Sequence, residues 1–157
     1  MSMQRTFATA FGPCTLAWSE RGLTGVRLER AGRPIGGDAP PPWVEDLEAR
    51  VARHLSGDVQ DFTSVPLDLA EAPPFFARVW SALRHVPAGK TITYGALAHA
   101  AGRNGAARAV GAAMRRNPFF LVVPCHRVRP SGGKLGGFSA PGGASTKRRL
   151  LAIEGVS

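Results

Sequence analysis

Residues 91–128 read TITYGALAHAAGRNGAARAVGAAMRRNPFFLVVPCHRV, and this stretch decides how the C-terminal half is built. Thr93 offers a side-chain oxygen at the start of a short helix predicted from Tyr94 to Ala100, where threonine can satisfy an unpaired backbone N–H. Gly102 to Gly105 turn the chain, and a further helix is predicted from Ala106 to about Arg116. Two short helices joined by a tight turn make a helix-turn-helix. The second is bare: Ala106, Ala107, Ala109, Gly111, Ala112 and Ala113 are all small, while Val110 and Met114 can face a core. Such a backbone can come close to another surface, although small residues also serve tight helix-on-helix packing. Arg108, Arg115 and Arg116 favour a phosphate-lined surface, because they add charge where bulk has been removed. Leu121 to Val123 reads as a brief extended segment.

Outward from this stretch, Ser131 to Gly137 reads as a turn, and Thr146 to Ile153 as a last helix stopped by Gly155. Upstream, Phe75, Phe76, Val79, Trp80 and Leu83 recur at helical spacing, so Phe75 to Val86 is predicted as a helix packed by its aromatics. Pro66 and the pair Pro73-Pro74 punctuate a connection, which sets two domains at 1–72 and 73–157. In the first, Val44, Leu47, Val51 and Leu55 give an amphipathic helix from Trp43 to Leu55, preceded by a Gly/Pro-rich loop from Ala31 to Pro42. His54 reads as a residue on the surface of that helix. Before the loop, Thr6, Phe7 and Thr9, then Cys14 to Trp18, then Leu23 to Leu28, alternate with turn signals as the strands of a small antiparallel sheet. The fold class is α+β: an N-terminal sheet with one helix, then a helical C-terminal domain.

Charge follows the same division. Residues 1–74 carry 7 Lys/Arg against 10 Asp/Glu, a net of −3, whereas residues 75–157 carry 13 against the single Glu154, a net of +12. The positive half suits a polyanion. No apolar run approaches the roughly 20 residues of a membrane span, and the opening MSMQRTFATAF lacks a basic segment leading into a long apolar one, so a cytoplasmic location is expected. The two cysteines, Cys14 and Cys125, make no disulfide framework and sit in no zinc-type cluster, so no metal is expected. Cys14, on a predicted strand, reads as buried and inert.

Cys125 differs in its neighbours. A thiol acts as a nucleophile only as thiolate, and at a pKa of about 8.5 it needs a base or a positive charge beside it. His126 and Arg127 follow directly. Neighbours in an extended segment face opposite ways, so His126 would then act through a bridging water.

The run PCHRV, the Asn-Pro pair that begins eight residues before the cysteine, and the segments TITYGALA, ARAVG, GGFS and KRRLLAIEG resemble the O6-alkylguanine-DNA alkyltransferases over about residues 74–155. The resemblance implies a ribonuclease-H-like N-terminal domain and a winged helix-turn-helix C-terminal domain. It also implies direct-reversal repair, in which the alkyl group on O6 of guanine, and less well on O4 of thymine, moves irreversibly to Cys125. His126 would then be the water-mediated base, Glu154 its orienting partner, and Asn117 a hinge between the helix-turn-helix and the active-site segment. Tyr94 would rotate the phosphate and hydrogen-bond the flipped base. Arg108 would fill the vacated space in the duplex, with Gly111, Arg115 and Ser131 touching DNA. The backbone at Val128 and Ser139 would read the guanine edge, and Phe138 would form an aromatic wall. No cofactor is implied; the partner is double-stranded DNA carrying the lesion, met by a monomer.

This chain departs from the family in places. Phe138 stands where tyrosine is common, Phe119 and Phe120 replace smaller or cyclic residues expected near the pocket lip, and the longer 140–145 segment leaves a pocket-facing role for Lys147 open. Three other classes compete. A lesion-flagging binding module would lack the reactive cysteine, a winged-helix regulator would leave Cys125, His126 and Glu154 unexplained, and a cysteine hydrolase would turn over repeatedly.

Overall fold

The computed structural model describes residues 3–156. Strands β1 (Met3–Phe7), β2 (Cys14–Ser19) and β3 (Gly22–Leu28) form an antiparallel meander, and the two-residue β4 (Gly36–Gly37) extends it in the order β3-β2-β1-β4. β4 lay inside the predicted loop, since a pair of glycines carries no strand signal.

Helix α1 (Pro42–Leu55) opens on Pro42, whose fixed φ and missing N–H suit a first helical turn, and buries Val44, Leu47, Val51 and Leu55 as their spacing requires. His54 is buried with them, with no exposed surface, so the surface assignment is corrected. Position 54 lies three residues after Val51 and seven after Leu47, on the same stripe.

Helix α2 (Pro74–Leu83) packs through Phe75, Val79, Trp80 and Leu83, and the Trp80 indole donates to the Ala113 carbonyl at 3.0 Å, tying it to α4 (Ala107–Arg115). Helix α3 (Tyr94–Ala100) is capped by Thr93, whose Oγ1 accepts from the Ala96 amide at 3.1 Å. Just before it, β5 (Ile92–Thr93) pairs in parallel with β6 (Val128–Arg129), a contact not foreseen from sequence because each partner is only two residues long. The last of the five α-helices among the described residues is α5 (Gly143–Ile153).

The outer edge of β3 is not left open. Leu23 N donates to Pro66 O and Asp68 N to Leu23 O, both at 2.8 Å; further along, Val26 N donates to Pro118 O at 2.8 Å and Phe120 N to Val26 O at 3.1 Å. The edge that could otherwise recruit a foreign strand is covered by the chain itself. One consequence is that the segment before the cysteine is not extended. Leu121 has φ 71°, and Val122 N donates back to Phe120 O at 2.8 Å, a three-residue turn. Phe119 and Phe120 point into the core rather than to a pocket lip, at 1% and 6% exposure. One contiguous apolar cluster joins both halves, from Leu16 and Val26 to Trp80, Phe119 and Val123.

Candidate active site

Cys125, His126 and Arg127 form a single 3-10 turn, with Arg127 N donating to Pro124 O at 2.9 Å. The side chains of Cys125 and His126 therefore diverge by about a third of a revolution, not by the half revolution of a strand. Cys125 is half-buried and opens on a cavity of about 480 Å³. Tyr94 lines this cavity from α3, Arg108, Gly111, Met114 and Arg115 from α4, and Gly137, Phe138 and Ser139 from the following loop. The parallel β5–β6 pair ties the start of α3 at Tyr94 to the segment that directly follows the Cys125–Arg127 turn. A larger cleft of about 720 Å³ between the halves is lined by Asp68, Trp80, Arg116 and others and holds no cysteine or histidine.

Behind the thiol lies a buried ionic network. Glu154, at the C-terminal cap of α5, accepts from Arg127 Nε at Oε1 and from Arg127 Nη2 at Oε2, both at 2.8 Å. The same Oε2 accepts from His126 Nε2 at 2.9 Å and from His54 Nε2 at 3.0 Å. A carboxylate can only accept, so His126 carries its proton on Nε2 and leaves Nδ1 as the free acceptor. Among the described residues that buried Nδ1 has no hydrogen-bond partner. Burial alone would push the Glu154 carboxyl up, but the bonds from Arg127, His126 and His54 hold it well below the usual carboxylate range. Burial pushes the His126 imidazole down, and Glu154 opposes that shift. A surface ion pair for Glu154 is ruled out, since its side chain is wholly buried.

Burial also pushes the Cys125 thiol up, while a hydrogen bond from Asn117 and the positive charge of Lys147 pull it down. Asn117 spans the turn in front of the cysteine: Nδ2 donates to Val123 O at 2.9 Å, and Oδ1 accepts from Phe119 N at 2.8 Å. Lys147 is fully buried, donating to Val128 O at 2.8 Å and Gly137 O at 3.3 Å, and its burial lowers its pKa to about 8. Tyr94 is pushed up by burial and by the nearby thiolate, so its phenol stays a proton donor.

Not every expected residue lines the cavity. Val128 is fully buried, with its carbonyl already engaged by Lys147, and Ser131 is exposed on the loop beyond β6. Arg127 and His54 were missed as partners of Glu154. The signals were present: Glu154 is the lone acid of a basic half, and position 54 falls on the apolar stripe of α1. Cys14 is buried, and burial pushes its thiol up to about 12, which keeps it protonated and unreactive. No helix among the described residues is long and apolar enough to cross a membrane.

Known proteins resemble this chain over nearly its whole length. Residues 74–156 match the family model described as 6-O-methylguanine DNA methyltransferase, DNA binding domain. A methylated-DNA–protein-cysteine methyltransferase of Methanosarcina acetivorans is 37% identical over 95% of this chain and 96% of its own length. A DNA base-flipping protein of Thermus thermophilus is 40% identical over 94% and 97%. The crystal structure of Mycobacterium tuberculosis OGT in complex with DNA superposes with a TM-score of 0.80 at 37% identity, covering 97% of this chain and 92% of that one. With its family model, full-length relatives and fold in agreement, this chain belongs to the methylated-DNA–protein-cysteine methyltransferase family.

Proposed function

We propose that the protein repairs O6-alkylguanine in duplex DNA, and O4-alkylthymine less well, by a single irreversible alkyl transfer to Cys125. The observation that carries this reading is the half-buried thiol at a cavity walled by Tyr94, Arg108 and Phe138, backed by the His126–Glu154–Arg127 network. A thiol so placed cannot reach O6 of a stacked base, so the nucleotide must be extruded into the cavity. Arg108 and Arg115 are exposed on the bare face of α4, which suits minor-groove approach with Arg108 filling the vacated stack. Tyr94 donates to the flipped base, Gly111 admits the backbone, Phe138 stacks, and the backbone at Ser139 reads the guanine edge, with the buried Val128 carbonyl held behind it by Lys147; Ser131 meets phosphate.

The Cys125 proton passes through one water to His126 Nδ1, and Glu154 holds the resulting imidazolium. The thiolate then attacks the alkyl carbon in line, the S–C bond forms as the C–O6 bond breaks, and guanine leaves with the electron pair and takes up a proton. A stable thioether remains. Asn117 fixes the turn that presents the thiol. Residues 1–72 act as a ribonuclease-H-like domain and 73–157 as a winged helix-turn-helix domain, acting as a monomer in the cytoplasm without a cofactor.

The test is transfer from a duplex bearing one radiolabelled O6-methylguanine, counted per protein molecule and compared with Cys125→Ser. Label reaching one per molecule, and absent from the variant, is the expected result. Tight lesion binding without transfer would instead favour a base-flipping module like the Thermus thermophilus relative, and repeated release of product would sink both readings.

A further inference from the structure

We propose that His54, contributed by the N-terminal sheet-and-helix unit, is a positioning residue for the Cys125 reaction: it competes with His126 for one oxygen of Glu154 and so limits how basic His126 becomes. The inference rests on the alkyl-transfer reading. Its starting point is an unequal carboxylate. Among the described residues, Oε1 of Glu154 takes one bond, from Arg127 Nε, whereas Oε2 takes three, from Arg127 Nη2, His126 Nε2 and His54 Nε2, at 2.8, 2.9 and 3.0 Å. An oxygen with roughly two lone-pair directions is oversubscribed by three donors, so each bond weakens the others.

The role of His54 in this competition is fixed by its other nitrogen. Nδ1 lies 2.9 Å from the backbone N of Gln60, which can only donate, so Nδ1 accepts and the ring's proton sits on Nε2. The ring is further held by Phe62, 5.5 Å away, which is itself covered by the Arg50 guanidinium at 5.3 Å. His54 therefore brings a directed N–H to Glu154 without a counter-charge for it. Other charged groups facing the cluster are Arg127, on the same turn as His126, and Asp61, whose charge interacts with Arg127. His54 and Glu154 are 100 residues apart, so the bond also couples the N-terminal half directly to the reaction centre.

The sign follows. Removing the His54 donor leaves more of Oε2 for His126, which favours the imidazolium and raises the pKa of His126. Two variants separate this from a packing defect. His54→Leu keeps the volume and has no donor; His54→Gln keeps an amide N–H able to reach Glu154. Glutamine also keeps a carbonyl oxygen able to accept from Gln60 N, which leucine lacks, so the His126 titration, which the loss of the Gln60 contact does not itself move, is the deciding readout. Single-turnover transfer to Cys125 and ring NMR titration of His126 would be followed against pH for all three full-length proteins, below the melting temperature of each. In His54→Leu the acid limb of the rate profile and the His126 titration should both move up by about half a unit or more, and in His54→Gln both should return towards the original position. Unmoved limbs and titrations in His54→Leu, or equal shifts in the two variants, would overturn the inference. Absence of transfer from the unsubstituted protein, with the His126 titration still moved in His54→Leu, would overturn the repair reading and leave the coupling standing.

Discussion

Glu154 is surrounded by two histidines and an arginine in a place closed to water, and its charge holds that cluster together. Glu154→Gln leaves Arg127 buried without its counter-ion, and removing one partner of a buried pair costs about 3–5 kcal/mol. Urea unfolding at neutral pH should show that loss; a change under about 1 kcal/mol would mean that the network contributes little to stability. Because the folded carboxyl is held low, its contribution is full above the ordinary value of about 4.3 and is lost as pH falls below it. Lys147 runs the other way. Its folded pKa of about 8 lies below the ordinary 10.5, so between those values the unfolded chain holds the proton and the folded protein does not. The lysine's contribution to stability therefore rises with pH across that window. Lys147→Met should remove that slope, seen as the difference between the two proteins' urea midpoints at pH 8 and pH 10.

At the scale of elements, the site depends on how α3 and α4 begin and what they expose. Thr93 caps α3 one residue before Tyr94, and Thr93→Ala should cost about 1 kcal/mol while loosening the tyrosine at the cavity mouth. Thermal unfolding measures the first effect. On α4, Arg108 stands exposed among small residues. If Arg108 fills the space left by the extruded base, as proposed, Arg108→Ala should slow transfer from duplex DNA about tenfold or more. The same variant should react normally with a free O6-alkylguanine base, which needs no extrusion; equal slowing on both substrates would assign Arg108 to the pocket instead.

For the molecule as a whole, the excess of +12 in residues 75–157 predicts that any binding to undamaged duplex DNA depends strongly on salt. If Arg103, Arg108, Arg115 and Arg116, all exposed around the helix-turn-helix, each displace a counter-ion, the log Kd against log salt slope should be of magnitude about 4. Fluorescence anisotropy across a salt series measures it, and a near-flat response would remove phosphate contact from the binding. Legible before any folding are the helices with long apolar stripes, α1 and α2, the capped α3, the meander β1–β3, and the cysteine with its histidine and lone acid. Those features rest on local periodicity and residue chemistry, which any window of the chain displays. Long-range packing sets the rest: the turn at Leu121, imposed when β3 pairs with Pro118 and Phe120; the β5–β6 pair, too short to leave a pattern; and His54, brought to Glu154 across 100 residues. A polar side chain on an apolar stripe reads as an exception until its partner is known, and here the partner lies at the far end of the chain.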